Sequence, residues 1–151
     1  MKTPVPTAGS SLRRLIAIAG GAGILFWLRL EDNSAVPAAL IAWLVSIWLI
    51  ADRVLHWFGG QGLTAVGWTA LMSLTGAACG AGAALAAAVL MLLKNGLHSH
   101  VVPDFPFSMI SGMLARLPAW SAAGLLAGAG LALIALALRP AARPASPDRS
   151  P

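Results

Sequence analysis

The sequence predicts an all-α membrane protein, a four-transmembrane-helix bundle with a short amphipathic interfacial helix in the outer loop between helices 3 and 4. Three observations lead there. None of the 31 residues from position 63 to 93 is charged, and an uncharged apolar run of about 18 residues or more reads as a spanning helix. Three further apolar stretches, 15–30, 35–51 and 119–138, share the same 151 residues. Hydrophobic residues make up 58% and charged residues 10%, against about 25% charged in an ordinary soluble domain. Such a surface suits lipid rather than water.

The first span, about 15–30, is short, with 14 uncharged residues before Arg29 where about 20 are needed to cross the bilayer. Arg13 and Arg14 at one end and Arg29 at the other extend its usable length by snorkelling. A basic segment ahead of an apolar run also fits a signal peptide. No convincing small-x-small cleavage site precedes the next run, so the helix is expected to be retained. The second span, about 35–55, follows the cap candidates Asp32, Asn33 and Ser34 and tolerates Pro37 in its first turn. Gly59, Gly60 and Gly62 then break the chain.

The third span, about 66–93, is too long for one perpendicular crossing. Thr64, Trp68, Thr69, Ser73 and Thr75 concentrate in its first part. The crossing is therefore placed near 71–93, with 63–70 at the interface or in a tilted extension. Lys94-Asn95-Gly96 reads as a helix end, the cation near the negative dipole and Gly96 available for a left-handed cap. Residues 108–117 read as the interfacial helix. Ser108 is the candidate cap, Met109, Ile110, Met113, Leu114 and Leu117 form the apolar face, and Ser111, Gly112 and Arg116 lie opposite. Pro118 suits the first turn of the fourth span, 119–138. The domain plan is a cytoplasmic N-terminal segment 1–14, a transmembrane domain 15–138, and a Pro-, Arg- and Ser-rich tail 139–151 expected to be disordered in the cytoplasm.

Orientation follows from basic residues in alternate loops. Lys2, Arg13, Arg14, Arg53, Arg139, Arg143 and Arg149 fall on one side, and Arg29, Lys94 and Arg116 on the other. The richer side is cytoplasmic, which places both termini inside and the protein in an inner (plasma) membrane. Trp27, Trp57, Trp68 and Trp120 lie near helix ends as interfacial anchors, whereas Trp43 and Trp48 sit within the second helix and are expected to pack or face lipid.

Helices associate in lipid where small residues let backbones approach. The third helix carries Gly76, Gly80, Ala84 and Ala88 at four-residue spacing, and the fourth carries Gly124, Gly128 and Ala132. These ladders predict close packing of the third and fourth helices. Ala19, Gly20, Gly21 and Gly23 predict that the first joins through its glycine patch. The same ladders also suit a homo-oligomer interface.

The apolar cores of the spans, 15–28, 35–51, 63–93 and 119–138, contain no Asp, Glu, Lys, Arg or His, which argues against a proton-coupled pump, a voltage sensor or an intramembrane acid–base enzyme. Ser46, Thr69, Ser73 and Thr75 are expected to bond helix backbone. The single cysteine, Cys79, permits no intrachain disulfide. A charge of +5 spread over the ends of apolar runs makes no nucleic-acid face, and no phosphate loop, Cys-x-x-Cys, His-Glu-x-x-His or nucleophile elbow occurs.

The densest polar chemistry is the loop from 94 to 107. His98 and His100 stand two apart, on one side of an extended segment, and Asp104 follows. Two histidines and a carboxylate form a ligand set for a divalent transition metal, and histidine titrates near neutrality, which suits proton sensing. The competing reading is an ordered interfacial loop whose histidines bond backbone or headgroups. No cofactor is otherwise implied. The expected function is that of a non-enzymatic accessory, assembly or scaffold subunit, its partners being the lipid bilayer and other membrane proteins or a second copy of itself. The alternative is a metal- or proton-responsive binding or transport protein working through His98, His100 and Asp104.

Overall fold

A computed structural model of the chain describes residues 3–4, 10–30, 34–98 and 103–138. Within them the order is β1 (Thr3–Pro4), α1 (Ser10–Arg29), α2 (Ala35–Phe58), β2 (Gly62–Leu63), α3 (Ala65–Leu97), α4 (Phe107–Ala115) and α5 (Leu117–Ala137). The two short strands pair antiparallel, Thr3 opposite Leu63 and Pro4 opposite Gly62. Everything else of regular structure is helical. Among the described residues, three helices are long and apolar enough to cross a membrane: α2, α3 and α5.

Local chemistry explains most boundaries. The Ser34 side chain caps α2 by accepting from the Val36 N–H at 3.3 Å, while Asp32 and Asn33 lie outside the described residues. Gly59 closes α2, and Gly60 takes φ +79°, a left-handed conformation that glycine adopts without a Cβ clash. Thr64 then caps α3 by accepting from the Gly67 N–H at 3.1 Å. The entry segment after it is continuous with the 33-residue helix, which at 1.5 Å per residue is about 50 Å long.

Several sequence expectations are corrected. Gly96 is no left-handed cap, because α3 runs on through it to Leu97 and ends at His98, with a right-handed φ of −96°. Ser108 does not cap α4. The helix starts at Phe107 behind Pro106, which provides no side-chain cap. Leu117 belongs to α5 rather than to α4's apolar face. Of that face Ile110 and Met113 are buried, whereas Met109 and Leu114 are exposed. Pro118 lacks the N–H that would continue α4 into α5, so the chain turns at Arg116.

α3 is the centre of the structure, packed on one side against α5 and on another against α2. The α3–α5 crossing brings backbone onto backbone. A Cβ built on Gly76 would meet the Gly124 carbonyl oxygen at 2.1 Å, one on Gly80 the Trp120 carbonyl oxygen at 2.0 Å, and one on Gly128 the Met72 carbonyl oxygen at 2.1 Å. The facing pairs Met72/Gly128, Gly76/Gly124 and Gly80/Trp120 step by four residues in opposite directions, so the helices are antiparallel along these rows. Ala84 and Ala132 are also buried.

The α2–α3 contact uses a stripe that the ladder reasoning passed over: Ala38, Ala42 and Ser46, all buried at four-residue spacing. The Ser46 hydroxyl donates across the interface to the Cys79 carbonyl at 2.8 Å. By contrast, Thr69, Ser73 and Thr75 donate to carbonyls four residues back in their own helix.

α1 lies alongside the bundle and meets it near its two ends. Arg13 pairs with Asp52 near the end of α2 at 3.0 Å, and Trp27 and Leu28 are buried at the other end. Its glycine patch does not join it to the bundle. A Cβ on Gly20, Gly21 or Gly23 would meet nothing within 4 Å, and the residues from Arg14 to Gly23 are exposed. Trp27 is likewise a buried contact rather than an interfacial anchor, unlike Trp57, which is exposed. Trp43 of α2 rests against Trp120 of α5, ring centroids 5.6 Å apart.

Candidate functional site

The polar chemistry gathers where α1 and α3 finish and where the chain leads into α4. The last turns of α3 place Lys94, Asn95 and His98 on the side that receives the incoming loop. Lys94 and His98 are one turn apart and share a face. Asn95 acts as a short piece of backbone. Its Nδ2 donates to the Phe105 carbonyl at 2.8 Å and its Oδ1 accepts from the Phe105 N–H at 2.9 Å. Both polar groups of Phe105 are thereby satisfied, which lets the ring enter the core with no exposed surface. One step away, His98 Nδ1 donates to Asp104 Oδ2 at 2.6 Å.

Lys94 stands in the last turn of α3, as the sequence places it, but its side chain is wholly buried. The ammonium stands 4.6 Å from the centroid of the Trp27 ring and 5.7 Å from that of Phe105. Aromatic faces carry a negative quadrupole that attracts a desolvated cation, so one side chain of α3 ties the end of α1 to the incoming loop. Lys94 and His98 each have further interactions besides these.

The site residues read from the sequence are thus partly assembled. His98 and Asp104 are brought together, and His100 lies outside the described residues. The two atoms that meet do so across a hydrogen bond. Two ligands of one tetrahedral ion, each about 2.1 Å from it, stand roughly 3.4 Å apart, so in this arrangement Asp104 steadies the imidazole rather than sharing an ion with it. No group of three or more His, Cys, Asp or Glu side chains placed to hold a metal occurs among the described residues. Sequence reasoning missed Trp27, Asn95 and Phe105. A trace of them was present in the apolar Phe105 between two prolines and the Asn beside a helix-terminal Lys, but nothing linear pairs position 95 with 105.

Beside this cluster, between the ends of α1 and α3, a cleft of about 450 Å³ is lined by Leu25, Leu28, Arg29, Leu97 and His98. A second, shallower groove of about 480 Å³ lies between the start of α3 and the end of α5. Its lining includes Ala65, Val66, Leu133 and Leu136, together with Thr69 and Ser73, whose hydroxyls are already bonded within their own helix. Compared with protein-family models, curated proteins and solved structures, the chain matches none.

Proposed function

We propose that the chain is a small integral inner-membrane protein with four spans and both termini on the cytoplasmic side, acting as a non-enzymatic accessory, assembly or scaffold subunit. The observation that carries this reading is how the polar residues at the loop end are used. Asn95 holds Phe105, His98 holds Asp104, and Lys94 reaches Trp27 and Phe105 together. These contacts join helices and loop into one rigid end, as a scaffold requires, and the α3–α5 crossing is closed by backbone contact.

Support for α1 as a fourth span comes from its length and its contacts. Its uncharged part, residues 15–28, covers about 21 Å at 1.5 Å per residue, and Arg13, Arg14 and Arg29 would snorkel to make up the ~30 Å hydrocarbon layer. Arg13 meets α2's last turns while Trp27 meets α3's last turns, so α1 runs the height of the bundle. In this reading α4 lies at the outer surface. The exposed leucines, isoleucines and valines of α1, α2, α3 and α5 face lipid or a partner. Affinity purification of the tagged protein in mild detergent should recover a stable partner or a homo-oligomer. Recovery of monomer alone, with nothing else in stoichiometric amount, would refute the subunit reading.

A second reading is favoured by the His98–Asp104 pair. A carboxylate on one imidazole nitrogen is the usual support for a metal-ligating histidine, so a metal- or proton-responsive site would use His98 through Nε2, with His100 as its candidate companion. Metal analysis of the purified protein tests it. A stoichiometric divalent ion lost in a His98→Ala/His100→Ala double variant is the expected result, and no ion together with no transition between about pH 5 and 8 would exclude it.

A further inference from the structure

We infer that the cleft between the ends of α1 and α3 is a binding site for an anionic phospholipid, with Arg29 on the phosphate and the three leucines along the acyl chains. The inference rests on the membrane reading above. The lining divides into two chemistries at the level where a headgroup meets the hydrocarbon. Arg29 closes the last turn of α1 and His98 ends α3, while Leu25, Leu28 and Leu97 supply the remaining walls. Leu28 is buried and forms the floor, whereas Leu25 and Leu97 are more than half exposed and open the cleft sideways toward lipid.

Charge sets the occupant. No carboxylate lines the cleft among the described residues, and Arg29 has no ion-pair partner among them. Asp104 lies behind the imidazole, held on Nδ1. A guanidinium presents a planar fork that matches two oxygens of a phosphodiester. The negative dipole ends of α1 and α3 act at this same level and oppose an anion, an influence that salt screens at an exposed helix end and that the full charge of Arg29 outweighs. The leucine walls select a lipid over a free phosphate, because a soluble anion leaves them wet.

The test uses the full-length protein in mixed micelles holding equal amounts of phosphatidylglycerol and phosphatidylcholine with identical chains, with retained lipid read by native mass spectrometry. Wild type should retain phosphatidylglycerol about fivefold over phosphatidylcholine, the weight of one arginine beside an anionic surface. Arg29→Gln should bring the two lipids to near parity, and Arg29→Lys should keep most of the preference. Arg116→Gln, which removes a charge at the same end of the bundle but outside the cleft, should leave it intact. An unchanged preference in Arg29→Gln, or equal losses in Arg29→Gln and Arg116→Gln, would overturn the site. The soluble headgroup glycerophosphoglycerol should not displace the lipid, and displacement would show a phosphate site instead. Alkaline carbonate extraction separates the two levels. Wild type and Arg29→Gln should both stay with the membrane, and release of wild type would overturn the membrane reading and the lipid site together.

Discussion

Gly80→Ala is the sharpest perturbation of the α3–α5 crossing. The added Cβ would stand 2.0 Å from the Trp120 carbonyl oxygen, 2.5 Å from its carbonyl carbon and 3.0 Å from the Ser121 nitrogen. All three are backbone atoms, so no side chain can rotate away. Ordinary contact begins near 3.4 Å, and restoring it means parting the two helices locally by more than about 1 Å, a gap at which apposed atoms lose a quarter to a half of their dispersion attraction. Because Gly76/Gly124 and Met72/Gly128 lie on the same rigid interface, they loosen with it. Overpacking of this kind costs about 2–4 kcal/mol, and the better helix propensity of alanine returns up to ~1 kcal/mol. The net loss of about 1–4 kcal/mol corresponds to a fall in Tm of roughly 3–12 °C for a domain of this size. Thermal unfolding in detergent, followed by far-UV circular dichroism, reads it directly. Gly23→Ala is the matched control, since its Cβ would meet nothing within 4 Å and Tm should hold or rise slightly. Equal melting of Gly80→Ala and Gly23→Ala would refute the backbone-contact account.

Three further outcomes follow from single interactions. Ser46→Ala removes the bond to the Cys79 carbonyl and should cost about 0.6–1.5 kcal/mol, whereas Thr75→Ala, whose hydroxyl only bonds its own helix, should change stability by less than about half of that. Equal effects from the two would count against the interhelical role of Ser46. Asn95→Ala leaves both polar groups of the buried Phe105 backbone without their partner. It should cost about 2–3 kcal/mol and raise amide exchange at Phe105 well before the core of α3 exchanges. Arg13→Gln breaks an ion pair whose side chains are 38% and 32% exposed, and its unfolding midpoint should move by less than about 1 kcal/mol equivalent. A larger loss would mean that Arg13 holds α1 by more than this pair.

Much of this was legible in the linear chain, because the solvent sets it. Apolar length marks α2, α3 and α5, and hydroxyl and glycine residues mark the breaks around Ser34 and Gly59–Gly60, since capping and turn chemistry are local, whereas the cap by Thr64 emerged only from the structure. Small residues four apart nominated Gly76, Gly80, Gly124 and Gly128, because helical periodicity puts them on one face. The same spacing misled in α1. Gly20, Gly21 and Gly23 are equally small, but a small face records only that a neighbour would be allowed to approach.

The remainder depended on which faces actually meet. The Ala38–Ala42–Ser46 stripe gained its meaning from Cys79 across the interface, and the helix-end cation Lys94 is buried because Trp27 and Phe105 close over it. Asn95 and Phe105 are ten residues apart, and only the return of the loop onto α3 joins them. Composition and local periodicity therefore determined that this chain is helical and suited to lipid. Tertiary structure alone decided which small faces are closed and which polar groups serve as ties, because those contacts join residues distant in sequence.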